Sequence, residues 1–283
     1  MKNFIKKNYF KIKTKLIRNK QEDVFYETYP SYGEASENGK SYISDKLVKV
    51  IAAKGYKFKN EFESITEVDL GEFNSSKTLR TLVAVASANS LHEINVIDFG
   101  GGVGHHYFIA KKLLSDTVKI KWNVVETPEL IKEIQKYSIA NEELRFFSNI
   151  QDASKESNLV DLIYSNVSLC YTNNPDQYLE ELLSLNFSKM YITNHPLSVG
   201  IDKNIVALQV SDLSTNGVGR EIPEYLNITN EKVKYPVTIQ PKKNFEEIIK
   251  KYGYILAQFK EVQEAYKTSD GFFDTYGYLI LKN

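Results

Sequence analysis

Residues 96–106 read VIDFGGGVGHH. Four glycines, Gly100, Gly101, Gly102 and Gly104, follow an apolar run that carries Asp98, and two adjacent histidines come next. Glycine gives up backbone entropy, so such a cluster needs a geometric reason. A strand turning sharply into a helix supplies one. The glycines make the turn and let a ligand touch the backbone, and they lead to the unpaired N–H groups of a helix start. The chemistry this suits is capture of a nucleotide-type ligand, since one or two glycines would suffice for a plain turn. The spacing is D-x-G-x-G-x-G. The dinucleotide fingerprint G-x-G-x-x-G/A fails, because its third position falls on His105. The P-loop pattern fails too, because no lysine follows.

A second carboxylate stands where such a ligand would need it. Glu126 closes KWNVVE, 22 residues after Gly104. A carboxylate at a strand end can accept hydrogen bonds from both hydroxyls of a ribose. The competing reading is a charge favoured by the dipole of the helix that Pro128 opens. The strand-end position favours the ribose.

The elements that must hold these residues follow from periodicity. NVIDF (95–99), KIKWNVVE (119–126), LRFFSN (144–149), VDLIYSN (160–166) and KMYITNH (189–195) read as strands. GHHYFIAKKLLSD (104–116), PELIKEIQKYSI (128–139) and QYLEELLSLN (177–186) read as helices between them. This alternation predicts βαβ units and a mostly parallel sheet. NFEEIIKKYG (244–253) is a further helix, and YILAQFKEV (254–262) and TYGYLILKN (275–283) are two more strands, expected to pair as an antiparallel hairpin at one sheet edge. The fold class is therefore α/β, with a seven-stranded sheet. Residues 21–93 form an N-terminal helical region: QEDVFYETYPSYGEA (21–35) reads as a Tyr-rich loop, 36–55 as a helix stopped by Gly55, and 74–90 as a helix that opens on capping serines. Residues 94–283 form the ligand-binding domain. Its stretch 196–243 is long for a connection and reads as a lid or substrate-side insertion.

Composition narrows the class. The chain has 283 residues, ordinary apolar and charged fractions, and 36 basic against 36 acidic residues, so bulk charge does not point to nucleic acid. The single cysteine, Cys170, excludes an intrachain disulfide framework and suits a reducing compartment, so the expected location is cytoplasmic. No apolar run approaches the ~18 residues of a membrane span, and no signal core follows the N-terminus. Residues 1–20 carry eight Lys/Arg and no acid, with Ile5, Tyr9, Ile12 and Leu16 on one helical stripe. They read as a basic amphipathic tail, solvated or docked on the acidic body. The rival reading is peripheral contact with anionic lipid at the inner membrane face.

The D-x-G-x-G-x-G turn resembles motif I of the class I S-adenosylmethionine-dependent methyltransferases. DFGGGVGHHY, KWNVVETPEL, LRFF, SNVSLCY and YITNHP occur in one order, with YPSYGEA upstream and KYPVTIQP and KYGYIL downstream. Together, over residues 26–262, they resemble a methyltransferase family of bacterial gene clusters for O-antigen or lipopolysaccharide assembly. The resemblance implies a Rossmann-like methyltransferase sheet and S-adenosyl-L-methionine as cofactor. The acceptor it implies is a sugar hydroxyl or amine, free or lipid-linked, in surface-polysaccharide biosynthesis. Asp98, the four glycines and Glu126 would hold the cofactor. Asn149, with Asp152 as second choice, would touch the adenine amine, and Ser165 and Asn166 would lie beside the methionine portion. For Asn149 a surface turn, and for Ser165 and Asn166 helix capping, are the competing readings. Where the resemblance leads one to expect an acid-and-arginine pair ahead of Thr-Pro, this chain has Asn194 and His195 before Pro196.

A hydroxyl acceptor calls for a base, and histidine is the default. His195, at the end of the fifth strand, and His105, at the helix start, are the candidates. His106 competes with His105 because adjacent residues cannot both face one ligand, and His92 reads as structural. The adjacent pair lacks the i, i+4 spacing of a helical metal site, so no metal is expected. Tyr107 and Tyr171 read as core aromatics, with flanking of the methyl group as the rival role, and Cys170 as a small buried hydrophobe. Two rival functions remain: a methyltransferase-like binding module without chemistry, and a nicotinamide-dependent sugar oxidoreductase, against which His105 counts.

Overall fold

In the computed structural model, the described residues are 25–39, 44–64, 75–88, 92–156, 158–219 and 221–283. The basic tail 1–20 lies outside them. The central strands are β2 (Glu93–Phe99), β3 (Lys119–Val125), β4 (Leu144–Phe147), β5 (Val160–Asn166) and β6 (Phe187–Ser198). They run parallel in the order β4-β3-β2-β5-β6. β10 (Gly271–Lys282) then pairs antiparallel with β6, and β9 (Gly253–Thr268) pairs antiparallel with β10 at the edge. These seven strands are the mostly parallel sheet and antiparallel hairpin that the periodicity predicts. The middle strands read as continuous apolar runs because helices cover both faces. Ile97 and Ile163 pack under one layer, and Val96, Val124 and the fully buried Trp122 under the other.

Two of the crossover helices begin on a capping residue followed by proline. Thr127 caps α5 (Pro128–Gln135) by accepting from the Leu130 amide, and Pro128 fills its first turn. Asn174 and Pro175 do the same for α7 (Pro175–Ser184). α4 (His105–Leu113) and the short α6 (Ile150–Ser154) complete the crossovers, and α8 (Lys242–Tyr252) leads into β9. Among the described residues no helix is long and apolar enough to cross a membrane.

Three expectations change. The 21–35 stretch is not all loop: β1 (Glu27–Tyr29) and α1 (Tyr32–Asn38) form there, α1 being capped by the Ser31 side chain. The 36–55 helix does not stop at Gly55. α2 runs Asp45–Glu63, and α3 (Ser75–Ala88) follows as predicted. Gly55 is a point of contact rather than a stop. A Cβ there would lie 2.4 Å from the Cβ of Val103, so only glycine lets α2 touch the glycine turn. Beyond it, Phe58 and Phe62 stack at 5.1 Å and carry the helix on into the core.

The third change concerns 196–243, which holds regular structure. β6 continues to Ser198, and β7 (Ile205–Asp212) and β8 (Lys232–Pro241) pair antiparallel, with β1 on the far side of β7. β8 meets the end of β6 at Leu197 and Ser198. Pro236 hides β8 in the sequence, since proline argues against a central strand. α2 braces the insertion: buried Lys54 donates to the carbonyls of Ser214 (2.7 Å) and Asn216 (2.5 Å).

Candidate functional site

The strand ends place the predicted ligand groups side by side. After Phe99 the chain turns through Gly100, Gly102 and Gly104, all with positive φ, and Gly104 begins α4. Gly102 has φ +61, and a Cβ built on it meets nothing within 4 Å, so its α-carbon faces open space. Its amide donates to Glu126 Oε1 at 2.9 Å, while the Thr127 amide donates to Oε2 at 3.0 Å. Glu126 stands just beyond the end of β3, as the ribose role requires. Below the turn lies Asp98, only 1% exposed, accepting a 2.9 Å hydrogen bond from the Trp122 indole. A Cβ on Gly101 would fall 2.4 Å from its carboxyl carbon, and one on Gly100 2.3 Å from Ser168. The turn is therefore a thin shelf between the carboxyl of Asp98 and open space.

Burial, reinforced by the Glu126 charge, raises the Asp98 carboxyl to about 7. Burial raises Glu126 as well, against the two amide hydrogen bonds that favour its anion. Two carboxyls converging on one turn suit a ligand that brings positive charge and hydroxyl donors. They disfavour a pyrophosphate, which would need the Gly102 amide that Glu126 holds.

The remaining predicted residues divide. Ser165 is buried, pairs in register with Phe99, and its hydroxyl has no hydrogen-bond partner among the described residues. Asn166 ends β5 and accepts from Asn194 Nδ2 at 2.9 Å. Asn149 is a half-buried helix cap: its side chain accepts from the Asp152 amide (2.8 Å) and donates to the Asp152 carboxylate (2.8 Å). Its amide is thereby committed to the turn, and Asp152 also binds Lys155.

The two candidate bases lie in different surroundings. The His105 ring sits edge-on to Phe58 of α2, 6.4 Å away. His106 turns inward instead, edge-on to Tyr164 at 4.8 Å and bonded through Nδ1 to Thr81 at 2.6 Å. His195 is 1% exposed, stacks on Phe245 at 4.7 Å and bonds Gln240 at 2.7 Å. Burial lowers its pKa to about 4. It is a neutral core residue, not a base that meets an acceptor. Strand alternation turned it to the inner face, which the sequence position alone did not reveal.

This carries a pH prediction. The unfolded chain, near 6.5, takes up the His195 proton before the folded chain does. This group therefore lowers stability progressively as pH falls from about 6.5 to about 4. Melting curves of His195→Gln across this range should show a shallower acid-side loss than wild type. Parallel curves would refute the assignment.

One polar network at the strand ends escaped the sequence reading. Glu261 of β9 accepts from Thr193 Oγ1 at 2.5 Å and from the Asn194 amide. Arg80 of α3 donates through Nε to Glu261 at 3.3 Å and through Nη2 to Asn194 Oδ1 at 3.1 Å. Asn194 has φ +57, which frees its side chain to bridge Arg80 and Asn166. An acid and an arginine thus do meet at position 194, delivered by α3 and β9. No local signal announces them, since Arg80 and Glu261 lie 181 residues apart.

No protein-family model matches this chain, and no curated protein does. Solved structures resemble it distantly. An S-adenosylmethionine-dependent methyltransferase from Clostridium acetobutylicum shares 12% identity at TM-score 0.44, over 80% of this chain and 98% of that one. The magnesium protoporphyrin IX methyltransferase of Synechocystis, solved with bound SAM, shares 12% at 0.43, over 85% and 98%. The N-terminal domain of EvdMO1, solved with SAH, shares 9% at 0.44, over 76% and 85%.

Proposed function

We propose that this protein is an S-adenosylmethionine-dependent methyltransferase acting on a small-molecule acceptor. The observation that carries the reading is the Glu126–Gly102 arrangement: a strand-end carboxylate bonded to a glycine amide, beside a left-handed glycine that opens on empty space. The residues present fit the cofactor. Glu126 would take the ribose hydroxyls, the bare face of Gly102 would admit the nucleoside, and the end of β5 at Ser165 and Asn166 would border the methionine end. A positive charge such as the sulfonium or ammonium would favour the anion of the Asp98 carboxyl, which burial otherwise disfavours.

When bound, the cofactor supplies an electrophilic methyl group. The chain's own contribution is alignment, since an in-line displacement gains most from holding acceptor and methyl in register. His195, buried on Phe245 and bonded to Gln240, is not placed to remove a proton from an acceptor, which leaves His105, beside the glycine turn, as the remaining candidate of the two. The acceptor this reading favours is a sugar hydroxyl or amine of surface-polysaccharide assembly. The order of DFGGGVGHHY, KWNVVETPEL, SNVSLCY and KYPVTIQP along the chain supports that choice.

Replacing Glu126 tests the cofactor role. Calorimetry with S-adenosylhomocysteine should show one site in wild type and a ten- to hundredfold weaker one in Glu126→Ala, the scale of one or two charge-assisted hydrogen bonds. Equal affinity in the two proteins would remove Glu126 from the site.

A further inference from the structure

The Arg80–Glu261–Asn194–Asn166 network sits where an α/β sheet presents its ligands, at the carboxyl end of β5 and the point where its pairing with β6 ends. It is assembled from four elements, and it is costly. Arg80 and Glu261 keep only 20% and 8% of their side-chain surface exposed, and Asn194 holds a left-handed backbone. Such strain and desolvation cluster at binding sites. Tyr164 adds an independent sign. Its side chain is fully buried, stacked on Tyr191 at 5.7 Å, and its hydroxyl has no hydrogen-bond partner among the described residues. A buried orphan hydroxyl calls for a water or a ligand group.

We propose that this network is the recognition wall for the methyl acceptor and that the acceptor is an uncharged, polyhydroxylated compound. The inference rests on the methyltransferase reading for the word acceptor; the ligand chemistry comes from the wall itself. Arg80 is already neutralised by Glu261. Glu261 is held by three donors: Arg80 Nε, Thr193 Oγ1 and the Asn194 amide. A phosphate or carboxylate would have to displace it from all three. What the wall offers is alternating amide and guanidinium donors and amide and carboxylate acceptors with no net charge, which matches a row of hydroxyls. Arg80 and Asn194 are the contacting residues, and Glu261 is a positioning residue that sets both.

Saturation-transfer NMR tests this on the full chain, with and without S-adenosylhomocysteine. The probes are the methyl glycosides of glucose, galactose, mannose, fucose and N-acetylglucosamine, alongside glucuronate and glucose 1-phosphate. Wild type should transfer saturation to at least one neutral glycoside and to neither anion. Asn194→Gly keeps the left-handed backbone while removing the side chain, and Arg80→Met removes the guanidinium. Each should weaken glycoside binding about tenfold, while leaving S-adenosylhomocysteine affinity within twofold. Asn194→Gly keeps the test decisive if Arg80→Met fails to fold. No glycoside signal in wild type, preference for the anions, or undiminished signal in Asn194→Gly would overturn the proposal. Failure of S-adenosylhomocysteine to bind would instead overturn the methyltransferase reading, and the glycoside arm without it still reads the wall.

Discussion

Gly102→Val should abolish useful cofactor binding while leaving the fold in place. Gly102 has φ +61, a conformation that costs an L-residue roughly 1–2 kcal/mol and a β-branched one more. A Cβ there meets nothing within 4 Å, so the rest of the turn has no need to move. The valine side chain would stand in the open space beside Glu126 that the nucleoside is proposed to enter. The expected result is a melting temperature lowered by several degrees and an S-adenosylhomocysteine affinity reduced by about a hundredfold or more, some 3 kcal/mol. Calorimetry on the variant checks it. An affinity within threefold of wild type would mean that the open face of Gly102 is not where the cofactor lies.

The second large effect reverses an ordinary expectation. Glycine inside a helix is usually worth replacing, because alanine gains about 1 kcal/mol there. Gly55 lies mid-helix in α2, yet its Cβ would sit 2.4 Å from Val103 Cβ and 2.5 Å from both Val103 methyls. Val103 belongs to the glycine turn, between Gly102 and Gly104, so neither side can yield without disturbing the site. Gly55→Ala should therefore destabilise by about 1–3 kcal/mol, the cost of overpacking a tight core. It should also weaken S-adenosylhomocysteine binding. Adding Val103→Gly should recover part of both losses, a coupling that a double-mutant cycle measures. A stabilised Gly55→Ala would show that α2 does not press on the turn.

Gly55 also shows what a sequence conceals. Read locally, a glycine after a helical pattern is a stop signal. The contact that explains it comes from Val103, in a different element. The same holds across the molecule. The seven strands and their crossover helices were legible because a strand buried on both faces writes a continuous apolar run, and helices write caps such as Thr127 with Pro128. Asp98 and Glu126 were legible because their position at strand ends is itself a sequence feature. β7 and β8 were not, since Pro236 disguises one of them. The surroundings of His195 were not legible, because a place late in a strand does not say which face a side chain takes, and here it faces Phe245. Arg80 and Glu261 gave no signal at all. Their meeting depends on how α3 packs against the sheet and where β9 runs, which only the folded chain decides.

Two of these features converge on one observable. Trp122, the single tryptophan in the chain, donates its indole N–H to Asp98 directly beneath Gly101. Any ligand that settles on the glycine turn should perturb the Asp98 carboxyl, and with it the indole. Titrating the wild-type protein with S-adenosylhomocysteine and, separately, with NAD, while following Trp122 fluorescence and the heat of binding, tests the central claim most directly. The account predicts saturable, one-to-one binding of S-adenosylhomocysteine with a fluorescence change that follows the heat, and no saturable response to NAD. Saturable binding of NAD, or no binding of S-adenosylhomocysteine, would contradict it.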